Sequence, residues 1–320
     1  MTPSPVTLFG GAGFVGRYAV KRLADAGARL VVPGRDPGKA LFLKPMGDVG
    51  QIALVQANIR DDASVAAAVE GAEAVVNLVG VLFSRGRQNF AAVHAQGAER
   101  IAKAARAAGV SRLIHVSAIG AAATSRANYA RSKAAGEAAV RAAFPDATII
   151  RPGIVFGPED DFFNRFAALA RLSPVLPLID GGETRFQPVY VGDVAEAIAR
   201  ILDRPETAGR TFELGGPRVY TFRELMEIVL RETGRKCLLV PVPAAIASFE
   251  AWFMEALPKP PLTRDQVRML ANDTVVGVSG ESDIATFKAL GIEPTPIETV
   301  LPTYMARYRR NGGRPASRFA

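Results

Sequence analysis

At 320 residues, 49% of them apolar, the chain is long enough for one large α/β domain and a smaller lobe. A single cysteine, Cys237, excludes an internal disulfide, and with only His94 and His115 beside it a zinc site of His and Cys ligands is not expected. The formal charge of +8 attracts anions without naming them; no aromatic-and-basic platform accompanies it, so nucleic acid is not the expected partner.

Only Met1 to Pro5 precede the first strand, so no signal or transit segment is expected. The longest apolar stretch, Ala74 to Phe83, is broken by Asn77 and is too short to span a bilayer. Strands are expected at Val6 to Phe9, Arg29 to Val32, Ile52 to Gln56, Ala74 to Leu78, Arg112 to Val116 and Ala147 to Ile150. Helices are expected at Phe14 to Ala26, Asp62 to Glu70, Phe90 to Ala108 and Asn128 to Ala143, with Gly109 and Pro145 at helix ends. Strands alternating with helices imply right-handed βαβ units and a Rossmann-type, doubly wound parallel sheet. After Arg151-Pro152 prolines become frequent and strands sparse. The expected division is a dinucleotide-binding domain over 1–155, rejoined by a strand-helix unit within 186–211. A smaller lobe over 156–185 and 212–302 and a basic tail over 303–320 complete it.

The first strand runs into Gly10-Gly11-Ala12-Gly13-Phe14-Val15-Gly16, three glycines spaced three apart at the start of a helix. Gly10 permits the tight turn, Gly13 lets the backbone approach a pyrophosphate, and Gly16 lets helix and strand pack closely. The free N–H groups of the helix then face the phosphates. The second strand ends at Gly34-Arg35-Asp36-Pro37, where an acid would bind the ribose 2′-hydroxyl and an arginine a 2′-phosphate. Asp36 before proline is accounted for as a helix cap. Arg35 is then the ribose-side residue, helped by Arg17 or Lys39, and NADPH is expected over NADH.

These pieces stand in order with Asn77-Leu78-Val79-Gly80, Tyr129-Ala-Arg-Ser-Lys133, Arg151 to Pro158, Val189-Tyr-Val-Gly-Asp193 and Leu214-Gly-Gly-Pro217. Together they resemble the extended short-chain dehydrogenase/reductase superfamily. Further segments are similar to the nucleotide-binding accessory subunit of respiratory complex I and its bacterial relatives. These are Gly47 to Gln51, His115-Val-Ser-Ala-Ile-Gly120, Gly157 to Arg165, Leu257 to Gln266 and Gly291-Ile-Glu-Pro294. The resemblance implies a tightly held NADPH and a scaffold role beside other complex I subunits at the membrane junction, without hydride transfer of its own. It also implies a peripheral position on the cytoplasmic side of a bacterial inner membrane, or the matrix side in a mitochondrion; the short amino terminus favours the bacterial case. Expected cofactor contacts extend to Phe14, Val15, Asn58, Ile59, Leu78, Val79, Gly80, Ser117, Pro152 and Ile154.

The alternative is a working NADPH-dependent reductase or sugar-nucleotide epimerase/dehydratase. Tyr129 and Lys133, one helical turn apart, share a face. In the superfamily the lysine holds the nicotinamide ribose and lowers the tyrosine pKa for proton exchange. Catalysis also needs a hydroxyl at the end of the fifth strand, where Ala118 stands, with Ser117 one residue early and therefore on the opposite face. His94 occupies a position where the superfamily commonly has Asn. The site is thus expected to clamp a cofactor with little or no turnover.

In the second lobe, Ile246, Phe249, Trp252, Phe253, Met254 and Leu257 recur at helical spacing, expected first as a packed core helix and second as an exposed stripe for a partner or membrane. Glu159-Asp160-Asp161 is expected to be a solvated loop, and Asp193 a helix cap. Arg307, Arg309, Arg310, Arg314 and Arg318 end the chain without an acid among them, as a solvated end or as a contact for a partner or anionic membrane.

Overall fold

The computed structural model describes residues 5–84, 86–255, 257, 260 and 262–309, which form two compact units. Of the described residues, the first contains those of 5–152, 191–214 and 279–292, and the second those of 153–190, 215–278 and 293–309.

Eight strands build the first unit: β1 (Val6–Phe9), β2 (Leu30–Gly34), β3 (Ile52–Gln56), β4 (Ala74–Asn77), β5 (Arg112–Val116), β6 (Thr148–Pro152), β7 (Thr211–Leu214) and β8 (Ile284–Ala285). They lie in the order β8-β7-β6-β5-β4-β1-β2-β3, and every neighbouring pair is parallel. A parallel sheet needs both faces covered. Helices α1 (Phe14–Asp25), α2 (Asp62–Val69), α3 (Gly97–Ala107), α4 (Asn128–Ala143), α5 (Val191–Asp203) and α6 (Phe287–Leu290) supply the cover. One core cluster joins Phe9, Val75 and Leu113 of the strands to Ile101, Ala102 and Ala105 of α3. The doubly wound α/β fold expected from the alternating pattern is the fold observed.

Three details differ from the sequence reading. Residues 212–214 and 284–285 belong to the sheet rather than to the lobe. β8, two residues long, is too short for a period-2 pattern to register, and the pairing of β7 with β6 and of the two strands with each other decides the matter. The strand Val189–Tyr190 pairs with Val155–Phe156 in the second unit, so only α5 rejoins the sheet from the expected strand-helix unit. The helix expected over Phe90 to Ala108 opens as a π-helical turn, Ala91–Gln96, before becoming α3. Such turns carry one residue more per ring and recur at functional sites.

The second unit packs helices Phe162–Leu172, Phe222–Thr233 and Ile297–Met305 around Phe156, Phe163, Phe186 and Phe222. Asp160, expected in solvent, is 4% exposed. Its carboxylate accepts from the backbone N–H of Gly157 and Asn164 and from the Tyr304 hydroxyl. Arg307 donates to the Pro158 carbonyl and to Asn164 Oδ1. Asp160, Pro158 and Asn164 therefore clasp residues 304–308, while Glu159 and Asp161 stay exposed as expected, and Arg309, which donates to the Glu232 carbonyl, is also docked. Arg310, Arg314 and Arg318 lie outside the described residues. The helix Ala244–Met254 buries Ala247 and Ala251 but leaves Ile246, Phe249, Trp252 and Phe253 each more than half exposed. Its large side chains face outward because the small ones already fit the space behind them.

Candidate functional site

The sheet order reverses at β1, whose neighbours are β2 on one side and β4 on the other. Loops leaving β1 and β4 run to opposite faces there, which opens a crevice at their carboxyl ends. Gly10, at φ +82°, turns the chain out of β1, and a Cβ there would lie 2.9 Å from the Leu78 carbonyl carbon. Gly16 is tighter still: its Cβ would stand 2.1 Å from Gly10 O. At Gly13 the only atom near a Cβ is Gly10 O at 3.1 Å, and no side chain caps α1. The loop thus brings the N-terminus of α1 up to an uncapped, side-chain-free surface, which fits a dinucleotide pyrophosphate.

The end of β2 sorts its two charges as local chemistry dictates. Asp36 accepts from the Gly38 N–H at the head of the turn Pro37–Met46 and pairs with Lys39 at 3.2 Å. Lys39 is thereby held at the cap. Arg17 stacks over Phe42, 4.9 Å from the ring centroid. Arg35 remains exposed at the tip of β2. Asn58 and Ile59 follow β3, where the Asn58 Oδ1 accepts from the Arg60 N–H, and Ile59 packs on the core.

Tyr129 and Lys133 project from α4, which Arg151 of β6 anchors through Glu137, Nη2 to Oε2 at 2.7 Å. Lys133 Nζ donates to the Val116 carbonyl at 3.1 Å. Burial lowers the lysine pKa to about 8. Phe90, His94 and Tyr129 form an aromatic cluster, with ring centroids 5.4 to 5.9 Å apart. Burial pushes the Tyr129 phenol up to about 12, the reverse of the lowering expected for a proton-exchanging tyrosine.

His94 is the hub of this face. Its Nε2 accepts from the Val81 N–H at 2.9 Å, so the neutral ring carries its proton on Nδ1 and donates to Ser132 Oγ at 2.8 Å. Ser132 passes the bond on to the Tyr129 carbonyl at 2.7 Å. The π-helical turn puts the ring in this place, and the absence of a side chain at Gly136 lets α4 approach, since a Cβ there would lie 2.2 Å from His94 O. His115 accepts from Asn77 Nδ2 at 3.1 Å, because Asn77 Oδ1 is taken by the Val79 N–H. Its Nε2 then carries the proton, within a wholly protein-enclosed space. Desolvation, followed by the Lys133 charge, lowers both histidines to about 3.

The Ser117 hydroxyl is buried behind β5, whereas Ala118 is half-buried and carries no hydroxyl. Two residues after His115, Ser117 shares its face of the strand.

The model of the NAD dependent epimerase/dehydratase family matches residues 6–215. The chain belongs to this family. An epimerase/dehydratase fold is borne out in three dimensions by the NADPH-dependent quinone oxidoreductase of Escherichia coli in complex with NADPH: TM-score 0.73, 21% identity, 93% of this chain and 99% of that one. Within the family, the chain is 36% identical to the mitochondrial NADH-ubiquinone oxidoreductase 40 kDa subunit of Neurospora crassa, over 95% of this chain and 80% of that one. The resemblance to that subunit read from the motifs is thus borne out. A ceramide reductase of Caulobacter vibrioides is 34% identical over 77% of this chain and 78% of its own.

Among the expected site residues, those of the glycine loop, the ends of β2 to β6 and α4 all lie in the first unit. Pro152 ends β6, and Leu78, Val79 and Gly80 leave β4 beside the loop. A Cβ at Gly80 would lie 3.5 Å from Lys133 Nζ and 3.7 Å from His94 Nε2. Ile154 instead falls in the second unit, where it packs against that unit's core. Sequence reasoning did not find Ser132, which sits inside the Tyr129–Lys133 motif and could have been flagged.

Proposed function

We propose that this chain is an NADPH-binding accessory subunit of a respiratory NADH:ubiquinone oxidoreductase and that it holds its dinucleotide with little or no turnover. The observation that carries the reading is the end of β5, where Ala118 offers no hydroxyl and the Ser117 hydroxyl is buried, in a chain related along 95% of its length to a subunit of that complex.

Gly10, Gly13, Phe14, Val15 and Gly16 would hold the pyrophosphate at the N-terminus of α1. Arg35 would meet a 2′-phosphate, with Asn58, Ile59, Leu78, Val79 and Gly80 around the adenosine half. Tyr129, Lys133 and Pro152 would serve the nicotinamide half. When bound, NADPH supplies hydride chemistry to enzymes of this family. Here the phenol of Tyr129 stays protonated, Lys133 is turned to the Val116 carbonyl, and a carbonyl substrate would find no hydroxyl donor at position 118. Loss of one such donor costs on the order of 10²–10³ in rate. The chain would lie on the cytoplasmic face of a bacterial inner membrane, or the matrix face in a mitochondrion. It would contact the complex at its membrane junction and the membrane peripherally, through the second unit and the basic tail.

The test is a purification: the tagged chain, recovered from membranes in mild detergent, brings oxidoreductase subunits and stoichiometric NADPH with it. Recovery of a partner-free protein would reject the subunit assignment. A second reading, an NADPH-dependent reductase, is favoured by the intact Tyr129–Lys133 pair and by the relation to a ceramide reductase. Steady oxidation of bound NADPH by a small carbonyl or sugar-nucleotide substrate, abolished in Tyr129→Phe, would establish that reading instead.

A further inference from the structure

Arg35 is an exposed, rotamer-rich side chain at the tip of a strand, and such a group loses conformational entropy when it grips a ligand. In this structure it does not stand alone. The amide of Gln88, in the segment that follows β4, lies against the guanidinium; since only donors face it there, its oxygen takes that side and accepts from Nη2 at 2.9 Å. Gln88 is half-buried, and its neighbour is tied down as well: Arg60 Nη1 donates to the Arg87 carbonyl at 3.2 Å. Arg60 itself is oriented by Asn58, whose Oδ1 accepts from its backbone N–H. A chain of contacts therefore runs from the end of β3 through Arg60 and residues 87–88 to the end of β2.

The chemistry of the Gln88 contact is selective. An amide oxygen held by Nη2 leaves four of the five guanidinium N–H groups for a second acceptor, and a free guanidinium edge takes a phosphate bidentately. A neutral amide also leaves the positive charge uncompensated, whereas a carboxylate in its place would pair with Arg35 and repel a phosphate. Asp36 is already removed from the competition by its cap and by Lys39.

We propose that Gln88 is the specificity partner of Arg35: it pre-positions the guanidinium, without neutralising it, for a ribose that carries a 2′-phosphate. This rests on the NADPH reading above and adds to it a second residue from a different loop. Gln88 contributes to discrimination between the phosphorylated and unphosphorylated dinucleotide and not to dinucleotide binding in general.

The test is titration calorimetry of the full chain with NADPH and with NADH, for the wild type, Gln88→Ala, Gln88→Glu and Arg35→Ala. Gln88→Glu is expected to weaken NADPH about tenfold and to leave NADH within about twofold, with Gln88→Ala giving a smaller loss in the same direction. Retained NADH binding shows that the variants are folded. If Gln88→Glu keeps the wild-type NADPH-to-NADH ratio while Arg35→Ala lowers it, the role of Gln88 is overturned and the NADPH reading stands. If Arg35→Ala leaves the ratio unchanged, both fall.

Discussion

Arg35 and Asp36 stand side by side at the end of β2, and only one of them is available to a ligand. The sorting was legible because capping is local: an aspartate before proline at a helix start has its oxygen committed within two residues. The offset of Ser117 was legible for the same reason, since alternation along a strand is a property of adjacent residues. Partners distant in sequence were not legible. The bond from Val81 to His94 and that from His94 to Ser132 depend on how α4 meets the π-helical turn. At this scale the histidines give a measurable pH dependence. Both are neutral bases whose folded pKa, about 3, lies below the unfolded value of 6.5. Their contribution to stability is therefore fully present above pH 6.5 and is lost as the pH falls toward 3, by about 1.4 kcal/mol per pH unit for each histidine. Thermal melts between pH 7.5 and 4.5 should show a falling midpoint, with a shallower slope in His115→Gln. An unchanged slope in that variant would show that His115 is not the group responsible.

At the scale of elements, the glycine loop offers a paired prediction. Gly16→Ala forces a Cβ to 2.1 Å from Gly10 O between two backbones that cannot part cheaply, and a loss of about 3 kcal/mol in denaturant unfolding is expected. Gly13→Ala meets only Gly10 O at 3.1 Å and should unfold near the wild type, yet lose most of its dinucleotide affinity because its new methyl occupies the cradle. Wild-type affinity in Gly13→Ala would place the pyrophosphate elsewhere. The strands β1 to β6 and helices α1 to α4 were read from the sequence to within a few residues, because each is long enough to show its period. The two-residue strand β8 shows none, and β7 joins it at the edge of the sheet by pairing alone. The π-helical turn is equally silent, since it differs from an α-helix by one residue in one ring.

At the scale of the whole molecule, the chain leaves and re-enters its first unit twice, at residues 191 and 279. Composition shifts marked the exit after Arg151-Pro152 but not the second return, where the residues after Ser279 resemble those of the lobe they leave. Asp160, within the acidic run at residues 159–161, was misread for a related reason: its burial is decided by Tyr304, 144 positions away. Tyr304→Phe removes one hydroxyl from the buried Asp160 carboxylate and should cost about 1–3 kcal/mol in unfolding free energy. A variant as stable as the wild type would reduce that contact to a bystander.

The helix Ala244–Met254 holds Trp252, the one tryptophan in the chain, 53% exposed between Phe249 and Phe253. The molecule therefore carries a single-site optical gauge of its own. Its emission should lie toward the red and be open to quenching by iodide in the isolated chain. Because no second indole contributes background, a blue shift and loss of quenching during reassembly would time the drying of that helix face alone.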